Sequence, residues 1–242
     1  MEASGAHPAV FAPVSTEGRV DAVVRRLTDA IALGLLADGE QLPSESELAG
    51  LLGVSTVTLR EALVALRQRG LLVTRRGRGG GSFVRAPAEP EIGERLRAFA
   101  ADELRDLGDH YTAIAGAAAM LAARRALPAD VEPLWRSLRE MADTDSPARL
   151  RRLDGRFHVE VAAASQSARL TREEIRLQAD IGPLLWLPYD EPGGHDEATA
   201  QHRAIAAAIA DGDPGRAREL AERHVLDAIE RLIELRLRLV GP

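Results

Sequence analysis

Cysteine is absent from these 242 residues. That excludes disulfides, thiolate metal ligands and a cysteine nucleophile, and it agrees with a reducing interior. Lysine is absent too: all 31 basic residues are Arg, a mark of GC-rich coding more than of chemistry. Aromatics make up only 3% of the chain while Ala is abundant, a composition that suits closely packed helices better than sheets. No apolar run reaches the roughly 20 residues that a bilayer span needs; the longest, 113–123, is interrupted by Gly116. The opening stretch MEASGAHPAVFAP lacks a basic segment followed by an apolar one, so residues 1–13 read as a disordered tail and not as a signal peptide. A cytoplasmic chain with no membrane partner is expected.

The charge is unevenly distributed. Residues 1–53 hold 3 Arg against 8 acids, residues 54–86 hold 7 Arg against 1 acid, and the remainder is again acidic. A short basic block in a protein of net charge −6 is either a solvated face or a surface for a polyanion. RAPAEPE at 85–91, with two prolines, marks a boundary. The reading is a tail over 1–13, a first domain over 14–86, a linker over 87–91 and a second domain over 92–242.

Before the linker, Val20, Val23, Val24, Leu27, Ile31 and Leu35 recur at helical spacing, predicting a helix up to about Leu36. Ser44 with Glu47 three residues later forms a capping box for a short second helix that Gly53 ends. Ser55 caps a third helix over 56–69, whose apolar stripe is Leu59, Ala62, Leu63 and Leu66. LLVTRR and SFVRA, joined by GRGGG, predict a hairpin. Helices followed by a small hairpin are the order of a winged helix-turn-helix. After the linker only helical patterns remain, approximately over 91–107, 108–126, 129–142, 147–164, 168–187, 196–210 and 214–239, predicting an all-α antiparallel bundle. The fold class is mainly α.

Away from its core stripe the third helix offers Thr56, Val57, Thr58, Arg60, Val64 and Arg67. A helix of this size fits the major groove, where hydroxyls meet phosphates and Arg meets guanine O6/N7. Arg75, Arg76 and Arg78 surround the glycine hairpin, where a bare backbone can approach a groove. The bland alternative, helix-start threonines and solubilising arginines, explains each residue singly but not the coincidence of basic helix, basic wing and element order.

These residues carry a resemblance. LPSESELAGLLGVSTVTLREALVALRQRGLLVTRRGRGGGSFV closely resembles the DNA-binding domain of GntR-type bacterial transcription regulators, over roughly residues 18–85. The resemblance implies DNA contacts from Ser44, Thr58, Arg60 and the wing Arg78, Gly79 and Gly80; Thr56 and Arg76 complete the candidate set. Ser46 and Thr56 stand where the family commonly has Arg, which implies a shifted operator preference or a weaker phosphate grip.

In the second domain, RRLDGRFHVEVAAAS sets Asp154 four residues ahead of His158 on a predicted helix. Both therefore share a face, at the edge of the stripe Leu150, Leu153, Phe157 and Val161. Alone, such a pair is a salt bridge, a catalytic pair or half of a metal site. His202 lies nine residues before Asp211 and His224 nine after Gly215, with DGDPG between. In an antiparallel pair the two histidines fall at one level, each ~13 Å from the turn. A lone His on an apolar face is usually a hydrogen-bonded core residue; three that can converge with an Asp form a borderline-hard N/O set. Such a set suits Zn²⁺ first, with Ni²⁺, Fe²⁺ or Mn²⁺ as alternatives, and leaves positions open.

A second resemblance rests on LDGRFHVEVAAAS and QHRAIAAAIADGDPGRARELAERH in an all-helical context. They look like the FCD ligand-binding domain of the FadR subgroup, over roughly residues 92–235. It implies that Asp154, His158, His202 and His224 are metal ligands, and that a small organic acid binds through the metal and an Arg. Tyr111 stands where that Arg is expected, Ala115 where a Glu is common, and Ser167 where an Asn is frequent, making Tyr111 and Ser167 the candidate effector-binding positions. The expected protein is a metabolite-responsive transcription regulator and repressor, a homodimer reading a double-stranded DNA operator, and not an enzyme. The alternatives are a metal-dependent hydrolase or lyase with an appended DNA-binding module, for which only Glu160 and Glu174 offer a general base, and a direct metal sensor.

Overall fold

A computed structural model describes residues 18–77, 79–85, 92–189 and 194–240. The tail 1–13, the linker 87–91 and Arg78 lie outside the described residues. The chain divides into two compact units, one ending at Ala88 and the other beginning at Glu89.

In the first unit, α1 (Arg19–Ala32), α2 (Glu45–Leu52) and α3 (Thr56–Gln68) precede β1 (Leu72–Arg75) and β2 (Gly81–Val84). Val23, Val24, Leu27 and Ile31 of α1 are buried together with Leu48, Leu52, Leu59, Leu63 and Leu66, so each helix turns its apolar stripe inward. The first helix is shorter than its stripe suggests. Gly34 takes a left-handed φ of 67°, and the amides of Leu35 and Leu36 turn back to the Ala30 carbonyl. Leu35 and Leu36 are thus buried in a turn and not in a helix. The strands pair antiparallel, Leu72 opposite Val84 and Arg75 opposite Gly81. Gln41 bridges Phe83 on the other edge of β2. The hairpin needs glycine at Gly80: a Cβ there would lie 2.5 Å from the Arg75 carbonyl oxygen.

The second unit is helical throughout its described residues: α4 (Ile92–Ala98), α5 (Ala101–Arg125), α6 (Pro128–Ala142), α7 (Pro147–Ala164), α8 (Ala168–Asp180), α9 (Gly182–Leu185), a 3₁₀ turn (Leu187–Tyr189), α10 (Gly194–Ala210) and α11 (Pro214–Val240). Two expected boundaries are corrected. The break near residue 107 is absent, and α5 runs through Gly108. That glycine is a packing site, because a Cβ would come within 2.9 Å of Ile229 Cγ2 on α11. The expected helix 168–187 breaks instead at Ile181, before Pro183, whose ring cannot continue the ladder.

Helix α7 decides the placement of the candidate ligands. Ser146 caps it and Pro147 opens it. Helices α5, α6 and α8 all pack against it, so burial extends past the apolar stripe. Asp154 and His158, expected at the edge of the buried face, are buried outright, as are Val159 and Glu160. Among the described residues, no single helix is long and apolar enough to cross a membrane.

Candidate metal centre and nucleic-acid interface

The turn at 211–213 folds α10 and α11 into a hairpin, and the two imidazoles that its symmetry sets at one level have Nε2 atoms 3.1 Å apart. Asp154 Oδ1 lies 3.3 Å from His202 Nε2 and 3.9 Å from His158 Nε2. All four donor atoms lie within 4.8 Å of one another and all four residues are buried. Donors about 2.0–2.2 Å from one small ion stand roughly 3 to 4 Å apart around it, and the separations of 3.1, 3.3 and 3.9 Å fall in that range. The chemistry of the set fits as well as its geometry. Gln201 Oε1 accepts from His224 Nδ1 at 2.6 Å, which fixes that tautomer and leaves the Nε2 lone pair facing His202.

Electrostatics point the same way. Burial, reinforced by the charge of Glu174, pushes the Asp154 carboxyl up to about 8. Burial holds His158 and His202 well below the usual imidazole range, with the neighbouring histidines adding to the effect. Burial alone brings His224 down to about 4. The histidines are therefore neutral donors at neutral pH. The carboxyl keeps its proton unless a positive charge arrives, and a divalent cation supplies that charge. Ring packing holds the imidazoles in place: His158 stacks on His224 at 5.1 Å, and Phe157 lies 4.6 Å from His202.

Two clefts meet at His158. The first, about 280 Å³ counting its open mouth, is lined by Tyr111, Asp154, His158, His224, Trp186 and Tyr189 along with apolar residues. The second, of about the same size, is lined by Glu174 and His158 among Ala115, Phe157, Val161 and Ile205. Tyr111 is buried and its hydroxyl accepts from Gln178 Nε2, while Gln178 also donates to Glu174 Oε1 at 3.0 Å. Burial raises Tyr111 well above the usual phenol range, with the Glu174 and Asp154 charges adding. Burial also pushes Glu174 up to about 7, against its hydrogen bonds with Gln178 and Tyr111.

The structure thus brings Tyr111 to the cluster but not Ser167. The Ser167 hydroxyl caps α8 by accepting from the Leu170 amide, and the residue lines neither cleft. Its work there is to start a helix. Sequence reasoning did not find Gln178, Tyr189 or Gln201. A weak signal existed for α8, where Thr171, Glu174 and Gln178 fall on one face at helical spacing and are all buried. Nothing in the sequence singled out Tyr189, which reaches the cleft from a 3₁₀ turn.

In the first unit the candidate contacts are accessible and partly engaged. Ser44 caps α2 and its hydroxyl donates to Glu47 Oε2 at 2.6 Å. Ser55 accepts the Thr58 amide at 3.0 Å, leaving Thr56 and Val57 exposed at the start of α3. Arg60 Nε pairs with Glu45 Oε2 across α2 and α3 at 2.7 Å. In the wing, Arg75 stacks over Phe83 at 4.2 Å, Arg76 is exposed, and Gly79 takes a left-handed φ of 83°.

The model for bacterial regulatory proteins of the gntR family matches residues 19–82, and the FCD domain matches residues 106–227. A Mycobacterium gastri protein named as the HTH-type transcriptional regulator RmpR is 42% identical over 224 residues, covering 90% of this chain and 82% of that protein. An Escherichia coli K12 protein named as an L-lactate dehydrogenase operon regulatory protein is 34% identical over 221 residues, covering 83% and 84%. The solved structure of E. coli McbR/YncC superposes with a TM-score of 0.51 at 20% identity, covering 91% of this chain and 99% of that one. At that identity the likeness speaks for the fold.

Proposed function

We propose a function on the premise that this chain belongs to the gntR family of bacterial regulatory proteins and carries an FCD domain. It is a transcriptional regulator; the families and relatives it matches are regulators and not enzymes. Our reading is that it is a cytoplasmic repressor whose operator affinity changes when a small metabolite binds beside a metal ion in the helical unit. The observation that carries this reading is the pairing, within one chain, of an exposed basic helix with a buried cluster of three histidines and an aspartate.

Asp154, His158, His202 and His224 would hold the ion, zinc in the first instance. When bound, it offers open positions to oxygen ligands and charge to an anion. The residues of the chain do the rest. Gln201 orients His224, the packed aromatic rings exclude water, and Tyr111 with Trp186 and Tyr189 closes the cleft around a ligand. On DNA, Arg60 would read a guanine, with Thr56, Thr58 and Ser44 and the wing residues Arg76, Arg78, Gly79 and Gly80 on the backbone. One such reader per chain favours a homodimer on a two-fold operator. A relative named for a metabolic operon supports control by a metabolite.

The ligand acts only through its different affinity for the DNA-bound and free arrangements. The test is to select an operator from random duplexes with the zinc-loaded protein, then measure its affinity across a metabolite panel, with and without chelator. Release of the operator by one metabolite, abolished by chelation, is expected. Metal-dependent binding that no metabolite alters would replace this reading with a direct metal sensor.

A further inference from the structure

The expected second anchor for the effector, Tyr111, is not free to serve. Its hydroxyl accepts from Gln178 and its proton is engaged by Glu174, so it is a wall of the cleft and not a donor to a ligand. Tyr189 differs. It lines the same cleft as Asp154, His158 and His224, it is 3% exposed, and its hydroxyl is buried with no hydrogen-bond partner among the described residues. A buried hydroxyl without a partner costs free energy that a bound acceptor would restore.

Charge narrows what that acceptor can be. No Arg lines either cleft among the described residues. The guanidinium packed over the Tyr189 ring, Arg231 at 5.2 Å, is already held by Glu197 at 2.6 Å. A divalent ion with the Asp154 carboxylate leaves one net positive charge, which a single ligand carboxylate neutralises. A second negative charge would be buried with no free counterion.

On the reading that the four donors hold one divalent ion, we propose that Tyr189 is the second anchor of the effector site. Its hydroxyl donates to a neutral oxygen at the far end of a small monocarboxylate whose near end chelates the ion. The class is a hydroxy or keto acid carrying a further hydroxyl or carbonyl, and not a dicarboxylate or a phosphate ester.

Three four-carbon acids share one chelating head and differ only in the tail: α,γ-dihydroxybutyrate, α-hydroxybutyrate and malate. Calorimetry on the full-length zinc-loaded protein should rank them in that order, with about 10-fold between the first two, the worth of one good hydrogen bond. In Tyr189→Phe the dihydroxy acid should fall to the level of α-hydroxybutyrate, which itself stays within about 2-fold. Zinc stoichiometry should be unchanged, and the ligand-free variant should melt no lower than wild type, because the unpartnered hydroxyl is gone. Malate binding tightest overturns the proposal even if the variant fails to fold. So does no binding of the dihydroxy acid at millimolar concentration, or an equal effect of Tyr189→Phe on both monocarboxylates. Failure of the metal premise looks different: zinc is then not retained, or dihydroxybutyrate binding survives chelation. Zinc retained with the wrong ranking defeats only the role given to Tyr189.

Discussion

Each unit sets a carboxylate against a nitrogen base, in opposite surroundings. Arg60 and Glu45 meet at 2.7 Å with side chains 66% and 42% exposed. Asp154 and His202 meet at 3.3 Å with side chains 8% and 0% exposed. Water screens the first pair, so holding it is worth at most ~1 kcal/mol, and Arg60 can leave Glu45 for a guanine at little cost. The second pair has no such freedom. Its members are desolvated, and only a partner that brings charge to the cluster changes their state. One unit works through groups it can release, the other through groups it cannot satisfy alone.

The sharpest way to break that contrast is to remove a donor. His202→Ala should weaken zinc binding by more than about 100-fold, beyond the usual effect of losing an outer-shell partner. Equilibrium dialysis checks it, with circular dichroism to confirm the helices. The matching change in the reader, Arg60→Ala, should cost about 1–3 kcal/mol of specific operator binding. Equal affinity of wild type and variant for operator and scrambled duplex would remove Arg60 as a reader. Gln201→Leu keeps all four donors but frees the His224 tautomer, and should weaken zinc by about 10-fold; an unchanged affinity would mean that Gln201 does not orient the ligand.

Proton linkage offers a smaller effect that separates the units without mutation. Asp154 sits near 8, above the ordinary 3.8. In metal-free protein its contribution to stability is full below about pH 4 and is lost as pH rises through 8. Glu174, near 7 against an ordinary 4.5, acts in the same direction. His224, held near 4 against 6.5, works the other way: its contribution is present above 6.5 and lost as pH falls through 4. From pH 6.5 to 8.5 the carboxyls dominate, so metal-free protein should lose stability, and the zinc-loaded protein should lose less, because Glu174 titrates in both forms but a zinc-bound Asp154 does not. The gap in Tm between the two forms should widen over that range, read by calorimetry.

How much of this was legible in the sequence follows the same division. The reader unit is written in consecutive residues. Ser44 with Glu47, Ser55, Gly53 and the stripe of α3 announce themselves locally, and the caps form as expected. Its one surprise, the early end of α1, arises because Gly34 turns the chain while Leu35 and Leu36 stay buried. In the helical unit, His202 and His224 could be set level by counting from the turn, because an antiparallel hairpin converts sequence distance into height. The expected break after residue 107 is absent because the role of Gly108 depends on Ile229, 121 residues away. Ser167, a candidate effector position by resemblance, has its hydroxyl at the cap of α8, a placement that only the local helix start would reveal. Tyr189, Glu174 and Gln178 meet the cluster only through tertiary packing of α8 and the 3₁₀ turn, which no local period encodes.

On the reading proposed above, four buried side chains hold one ion. Titrating metal-free, full-length protein with zinc tests it most directly. One tight equivalent per chain is expected, lost in both Asp154→Ala and His202→Ala. No tight equivalent, or an equivalent that survives both substitutions, would contradict it.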